Sequence, residues 1–195
     1  LRLRDERGQL VSPGSFIPAA ERYGLMPLID RWVVSTAFEV LAQAAPGAIT
    51  TCAINLSGIT FGDEDFVSFV EDEFRRHRVV PSTICFEITE TSAIADLPSA
   101  MRFIGAMQSL GCRFSLDDFG SGMSSFGYLK HLPVDLLKID GGFVKDMLMD
   151  RIDRAMVEMI NHIGHVTGKK TVAEFVETPA IAEALREIGV DYAQG

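Results

Sequence analysis

Short apolar runs alternate with helical segments through most of this chain, and each run ends in a polar, often acidic, residue. The runs fall at residues 51–54, 83–88, 113–116, 134–139, 170–173 and 191–193. They are continuous rather than alternating, as expected for parallel strands covered on both faces. The helical segments fall at 16–23, 28–44, 65–76, 97–110, 152–166 and 179–187. Their apolar residues recur at three- and four-residue steps, as in Phe66, Phe69, Val70 and Phe74. This order predicts an α/β fold on a parallel sheet.

The polar residues at the run ends are Asn55, Glu87, Asp117, Lys138, Glu174 and Gln194. They span 139 residues in five steps, about 28 residues each, close to the roughly 30 of a βαβ unit. In a closed barrel, strand ends form one ring on the face where barrel enzymes keep their chemistry. In an open doubly wound sheet they would line an edge, and fewer could converge. Six convergent positions favour the barrel.

Composition narrows the partners. With 47% hydrophobic and 23% charged residues, the 195-residue chain reads as a soluble globular protein able to bury one core. A net charge of −9 argues against a nucleic-acid polymer. It leaves room for a small phosphorylated ligand, because bound cations reverse the local sign. No apolar run is long enough to span a membrane, and no signal peptide is evident. The three cysteines, Cys52, Cys85 and Cys112, lie in strand-like runs without CxxC spacing and read as buried, reduced thiols of a cytoplasmic protein. The chain starts at Leu1 rather than Met and stops at Gly195 beside a strand, which reads as a piece of a longer protein.

The strand ends carry the chemistry. Adjacent residues at a strand end point different ways, so in Asp117-Asp118 one carboxylate can bridge two cations while its neighbour binds one; the glycines of Phe119-Gly120-Ser121-Gly122 allow a tight loop over the site. Alone, the pair could equally cap a turn. Glu87 with Glu90, and Glu174 with Glu177, repeat the paired-carboxylate pattern, though each could be a solvated strand exit or a helix N-terminal charge. Lys138 sits in a buried run and needs an anionic partner or ligand; a structural salt bridge to Asp117 or Glu174 would look the same. Asn55 offers a neutral oxygen, or simply stabilises a turn. The four histidines read as surface or packing residues, and Arg75-Arg76-His77-Arg78 as the complement of a helix C-terminus. Oxygen ligands without cysteine or histidine point to Mg²⁺ or Mn²⁺. Paired carboxylates plus a lysine suit two-metal hydrolysis of a phosphodiester.

These residues closely resemble the EAL-domain phosphodiesterases that hydrolyse cyclic di-GMP. The matching stretches are Phe16-Ile17-Pro18-Ala19-Ala20-Glu21, Asn55-Leu56-Ser57, Glu87-Ile88-Thr89-Glu90, Asp117 to Gly122, Lys138-Ile139-Asp140, Ala173-Glu174-Phe175-Val176-Glu177 and Gln194-Gly195, in family order across the chain. The resemblance implies a modified TIM (β/α)₈ barrel with an antiparallel first strand, truncated at its N-terminus, over a single domain of residues 1–195. It implies that Asn55, Glu87 and Asp117 bind one metal and that Asp117, Asp118 and Glu174 bind a second. Lys138 and Gln194 would hold the attacking water, with Lys138 or Glu174 moving its proton. Glu90 would brace the loop 118–125, Glu177 would support the site, and Arg2 would contact the ligand as the arginine of an ExLxR motif. The motif's glutamate would precede Leu1. A homodimer and upstream sensory or GGDEF-type domains are implied as well. Two positions depart from the family: Ser121 stands for the commoner threonine and Phe175 for the commoner glycine. A non-catalytic cyclic di-GMP receptor is the alternative, and a metal-dependent barrel lyase is a more distant one.

Overall fold

The computed structural model describes residues 1–45, 47–122 and 126–195. Six parallel strands form one sheet in sequential order: β3 (Cys52–Asn55), β4 (Ile84–Thr89), β5 (Arg113–Phe119), β6 (Leu136–Ile139), β7 (Lys170–Ala173) and β8 (Tyr192–Ala193). Ahead of it stands a separate antiparallel pair, β1 (Leu3–Arg4) and β2 (Leu10–Val11). The helices are α1 (Pro13–Arg22), α2 (Met26–Gln43), α3 (Glu64–His77), α4 (Glu90–Ala95), α5 (Leu97–Ser109), α6 (Gly141–Asp146), α7 (Arg151–Val166) and α8 (Pro179–Ile188). Each expected run and helix is present, with ends shifted by at most a few residues. The β1–β2 pair, α4 and α6 are additional. No described helix is long and apolar enough to cross a membrane.

The expected both-face burial takes a divided form. Successive strand residues face opposite ways, and Ile54, Phe86, Ile88, Phe114, Leu116, Leu137 and Ile139 are at most 2% exposed in the main core. Phe103 of α5 packs edge-on against Phe114 (6.0 Å between centroids) and also meets Phe61 and Phe66. The alternate residues, including Ala53, Cys85, Ser115 and Val172, line a cavity of about 420 Å³ on the other face. The register climbs around the sheet: Asn55 pairs with Glu87, but Thr89, two residues further on, pairs with Asp117. Such stagger accompanies strand tilt in a barrel wall.

Local signals end the helices. Asp63 caps α3 by accepting from Asp65 N–H, Arg75, Arg76 and His77 occupy its last turn, and Arg78 closes it in the left-handed conformation. All three cysteines are free. Burial pushes the Cys85 and Cys112 thiols up to about 12, so both stay protonated and inert.

Below the sheet, Asp191 ties β7 to the start of β8. Its carboxylate accepts from Lys170 Nζ (2.6 Å) and Thr171 N–H (2.9 Å), and it pairs with His165 Nε2 (2.8 Å). Burial alone would raise this carboxyl, but these hydrogen bonds outweigh it and hold the group well below the usual range. A depressed carboxylate contributes stability that is fully present above its unfolded pKa of about 3.9 and is lost as pH falls towards the folded value. Urea midpoints should therefore fall below about pH 4 more steeply in the parent than in Asp191→Asn. Parallel profiles would show that this carboxylate does not govern acid stability.

Candidate active site

Strand parity assembles the site. Asn55, Glu87, Asp117 and Lys138 share the inward phase of Ala53, Cys85, Ser115 and Leu136, and Glu174 and Gln194 continue the phase of Val172 and Tyr192. Asn55 ends β3, Glu87, Asp117 and Lys138 lie within their strands, and Glu174 and Gln194 follow β7 and β8 directly. Lys138, 3% exposed, is the hub. Its ammonium lies 2.7 Å from Glu174, 2.9 Å from Asp117 and 3.3 Å from Glu87. Asn55 Nδ2 donates to Glu87 Oε2 at 3.2 Å. The Gln194 residue lines the same cavity as Glu87 and Lys138, and its backbone N–H donates to Ala173 O at 2.8 Å.

Asp118 would turn away from the cavity in a regular strand. Its φ of +53° is left-handed, a region that aspartate tolerates better than most residues. The turn is fastened by Asp118 N–H donating to Asp117 Oδ1 (3.1 Å) and by the Ser121 hydroxyl donating to Asp118 O (2.7 Å). In this conformation Asp117, Asp118 and Glu174 offer carboxylate oxygens all within 4.8 Å of one another. Phe175, the residue after Glu174, repeats the same turn with φ +53°.

One ammonium cannot neutralise this many carboxylates. Burial would lower Lys138, but hydrogen bonds to Glu174 and Asp117 outweigh it and raise the ammonium above its ordinary value. Burial raises Glu87, Asp118 and Glu174, and the neighbouring Asp117 charge raises each further. The site thus keeps an excess of negative charge, which oxygen-seeking divalent cations would neutralise.

Neighbouring segments hold the strand exits. Glu90, at the start of α4 and 1% exposed, accepts from Gly120 N–H (2.9 Å) and from the Tyr128 hydroxyl. One carboxylate thereby fixes the chain on both sides of residues 123–125, the part of the expected loop 118–125 that lies outside the described residues. Gly120 has a φ of +96°, a conformation that L side chains rarely adopt, so this turn favours glycine. Beyond Asn55, the Asp30 carboxylate of α2 accepts from Ser57 N–H (3.0 Å), Ser57 Oγ (2.7 Å) and Thr60 Oγ1.

Arg2 and Glu177 stand apart from the ring. Arg2 is exposed, donates to Leu1 O at 2.8 Å and lines a different, apolar cavity of about 580 Å³ with Phe16 and Trp32. Glu177 is exposed in the loop before α8. Tyr128 and Asp30 are site supports that the sequence reading missed. Asp30 did leave a signal, since it falls in step with Met26, Val34 and Phe38, the other buried positions of α2. An acidic residue in an apolar stripe needs partners.

The chain resembles known proteins over its whole length. It is 43% identical over 196 residues to the cyclic di-GMP phosphodiesterase PdeB of Shewanella oneidensis and 35% identical to PdeF of Escherichia coli, covering all of this chain but 23% and 26% of those proteins. It thus spans about a quarter of their length. Among solved structures it superposes on the PaMucR phosphodiesterase in its c-di-GMP complex with a TM-score of 0.92 at 36% identity, covering 100% of this chain and 79% of that one. The corresponding values for the FimX EAL domain of Pseudomonas aeruginosa bound to c-di-GMP are 0.91, 30%, 100% and 78%. EAL domains have a TIM-like barrel, and the curled six-stranded sheet is part of that architecture. Since the EAL domain model also matches residues 1–195, the chain belongs to the EAL domain family.

Proposed function

We propose that residues 1–195 form one EAL-type domain that hydrolyses cyclic di-GMP to linear pGpG with two Mg²⁺ or Mn²⁺ ions. The observation that carries this reading is a buried lysine held among Glu87, Asp117 and Glu174, with Asp118 turned in beside them. The relatives' names and the c-di-GMP complexes of the superposed structures support the substrate.

The donor set fits hard cations, being carboxylate and amide oxygen with uncompensated negative charge. Asn55, Glu87 and Asp117 would hold one ion, and Asp117, Asp118 and Glu174 the other. When bound, such ions polarise phosphoryl oxygens and offset the charge developing on them. The chain's own groups supply the rest. Lys138, raised and therefore an ammonium at neutral pH, cannot accept a proton; together with Gln194 it orients the attacking water as a donor. Glu174, whose carboxylate lies 2.7 Å from the Lys138 ammonium, is then the group placed to accept the water's proton. Attack at phosphorus breaks the bond to the 3′ oxygen and leaves a 5′ phosphate on the linear product. Glu90 braces the chain at Gly120 and Tyr128. Glu177 as a support and Arg2 as a ligand contact rest on the family resemblance.

A homodimer, a cytoplasmic setting and sensory or GGDEF-type domains elsewhere in the full protein belong to the same proposal. The greater length of the relatives supports further domains.

The full-length protein with Mn²⁺ or Mg²⁺ should release pGpG, resolved from cyclic di-GMP by anion-exchange chromatography. No turnover at any metal concentration would sink the hydrolase reading. Binding without turnover would make the domain a receptor.

A further inference from the structure

On the inward face of β5, Arg113, Ser115 and Asp117 follow one another in a column. Asp117 belongs to the site. The two residues below it have no part in the chemistry described so far, yet neither is apolar. Ser115 is 2% exposed, and its hydroxyl has no hydrogen-bond partner among the described residues. Arg113 donates from Nη2 to Thr51 Oγ1 at 2.7 Å, while its Nε is buried and equally without a partner. A buried polar group left unpaired costs roughly 1–3 kcal/mol. Two of them on one strand face call for an explanation.

Both residues line the cavity of about 420 Å³ that also receives Glu87. Glu87 stands in register with Ser115 on the adjacent strand β4, and neighbouring strands run about 4.8 Å apart. The hydrogen bonds from Asn55 and Lys138 both end on Glu87 Oε2. Among the described residues, Oε1 therefore has no donor, and no direct bond joins it to Ser115. A buried water needs about two to four polar partners and roughly 15 Å³ of room, and this cavity offers both. Such a water accepts from Arg113 Nε–H, shares a hydrogen bond with the Ser115 hydroxyl and donates to Glu87 Oε1.

We propose that Ser115 and Arg113 are positioning residues that hold an internal water against the Glu87 carboxylate and so fix that side chain for its metal. The inference rests on the reading of Glu87 as a metal ligand. A carboxylate oxygen has two lone pairs, so Oε1 can take the water and still face an ion. With Oε2 held by Asn55 and Lys138 and Oε1 by the water, Glu87 is ordered before the ion arrives. Partners of this kind orient a ligand without touching the metal.

The test uses the full-length protein. Ser115→Ala removes a hydroxyl that has no protein partner, so its melting temperature should match the parent's. Mn²⁺ titrations read by electron paramagnetic resonance should show one of two sites weakened about tenfold and the other unchanged. Arg113→Gln should weaken the same site, and Ser115→Thr, which keeps the hydroxyl, should match the parent. At saturating Mn²⁺, kcat and KM of Ser115→Ala for cyclic di-GMP should return to parent values. A crystal structure of the parent should show one ordered oxygen within hydrogen-bond distance of Ser115 Oγ and Arg113 Nε, absent from Ser115→Ala. Parent-like Mn²⁺ binding in both Ser115→Ala and Arg113→Gln would overturn the inference, as would a side chain of the full-length protein bonded to these two groups in place of the water. If the variants lose Mn²⁺ affinity but the parent leaves cyclic di-GMP uncut, the water stands and the phosphodiesterase reading falls. A parent that takes up no Mn²⁺ would overturn both.

Discussion

Asp117→Asn is expected to lower cyclic di-GMP turnover by about a thousandfold or more while leaving metal-free stability undiminished. Asp117 is the carboxylate assigned to both cations, and asparagine keeps its shape while halving its oxygen donors and removing its charge. Metal-assisted stabilisation of phosphoryl charge is worth several kcal/mol, and each 1.4 kcal/mol is about tenfold in rate. Stability should move the other way. The site holds more carboxylates than its lysine can neutralise, and Asp117 raises Glu87, Asp118 and Glu174 alike. Removing that charge relieves repulsion in the metal-free protein. Chromatographic rates and urea titrations in chelator measure the two effects. Turnover within tenfold of the parent would remove Asp117 from the metal site.

Lys138→Met should do the opposite to stability. The four side chains of the ion cluster are between 4% and 15% exposed, so solvent screens them little. Taking away one partner of a buried charge cluster leaves the others uncompensated, typically at a cost of about 3–5 kcal/mol. Part of that cost is recoverable by protonation, since Glu87 and Glu174 are already raised. Millimolar Mn²⁺ should restore part of the lost stability, because a cation takes over the charge balance. Turnover should stay low even then, the water having lost its donor. Equal urea midpoints for parent and variant in chelator would mean that the lysine contributes no net stabilisation.

These expectations rest on a site that was largely visible in the sequence. Asn55, Glu87, Asp117, Lys138, Glu174 and Gln194 stood out because each is polar at the end of an apolar run, and strand parity brings them to one face. Other parts left no periodic trace. The strands Leu3–Arg4 and Leu10–Val11 have two residues each, and α4 and α6 have six, too few for a helical repeat to show. The inward face itself was hidden, because Cys85, Leu136 and Val172 are as apolar as the core they turn away from. Tyr128 meets Glu90 across 38 positions of sequence, a pairing that only the folded chain reveals.

The alternation along the strands has a further consequence for how this domain can change. Phe86 and Glu87 are neighbours, yet one is sealed beneath the helices and the other faces the lysine. Deleting Cys85 with Ile84 held in register would exchange these destinations, burying a carboxylate in hydrocarbon and turning a phenyl ring into the polar cluster. Inside the strands the domain can therefore drift by substitution but not by length. Insertions and deletions belong in the connections between strands, where a change of length leaves the inward and outward sets undisturbed.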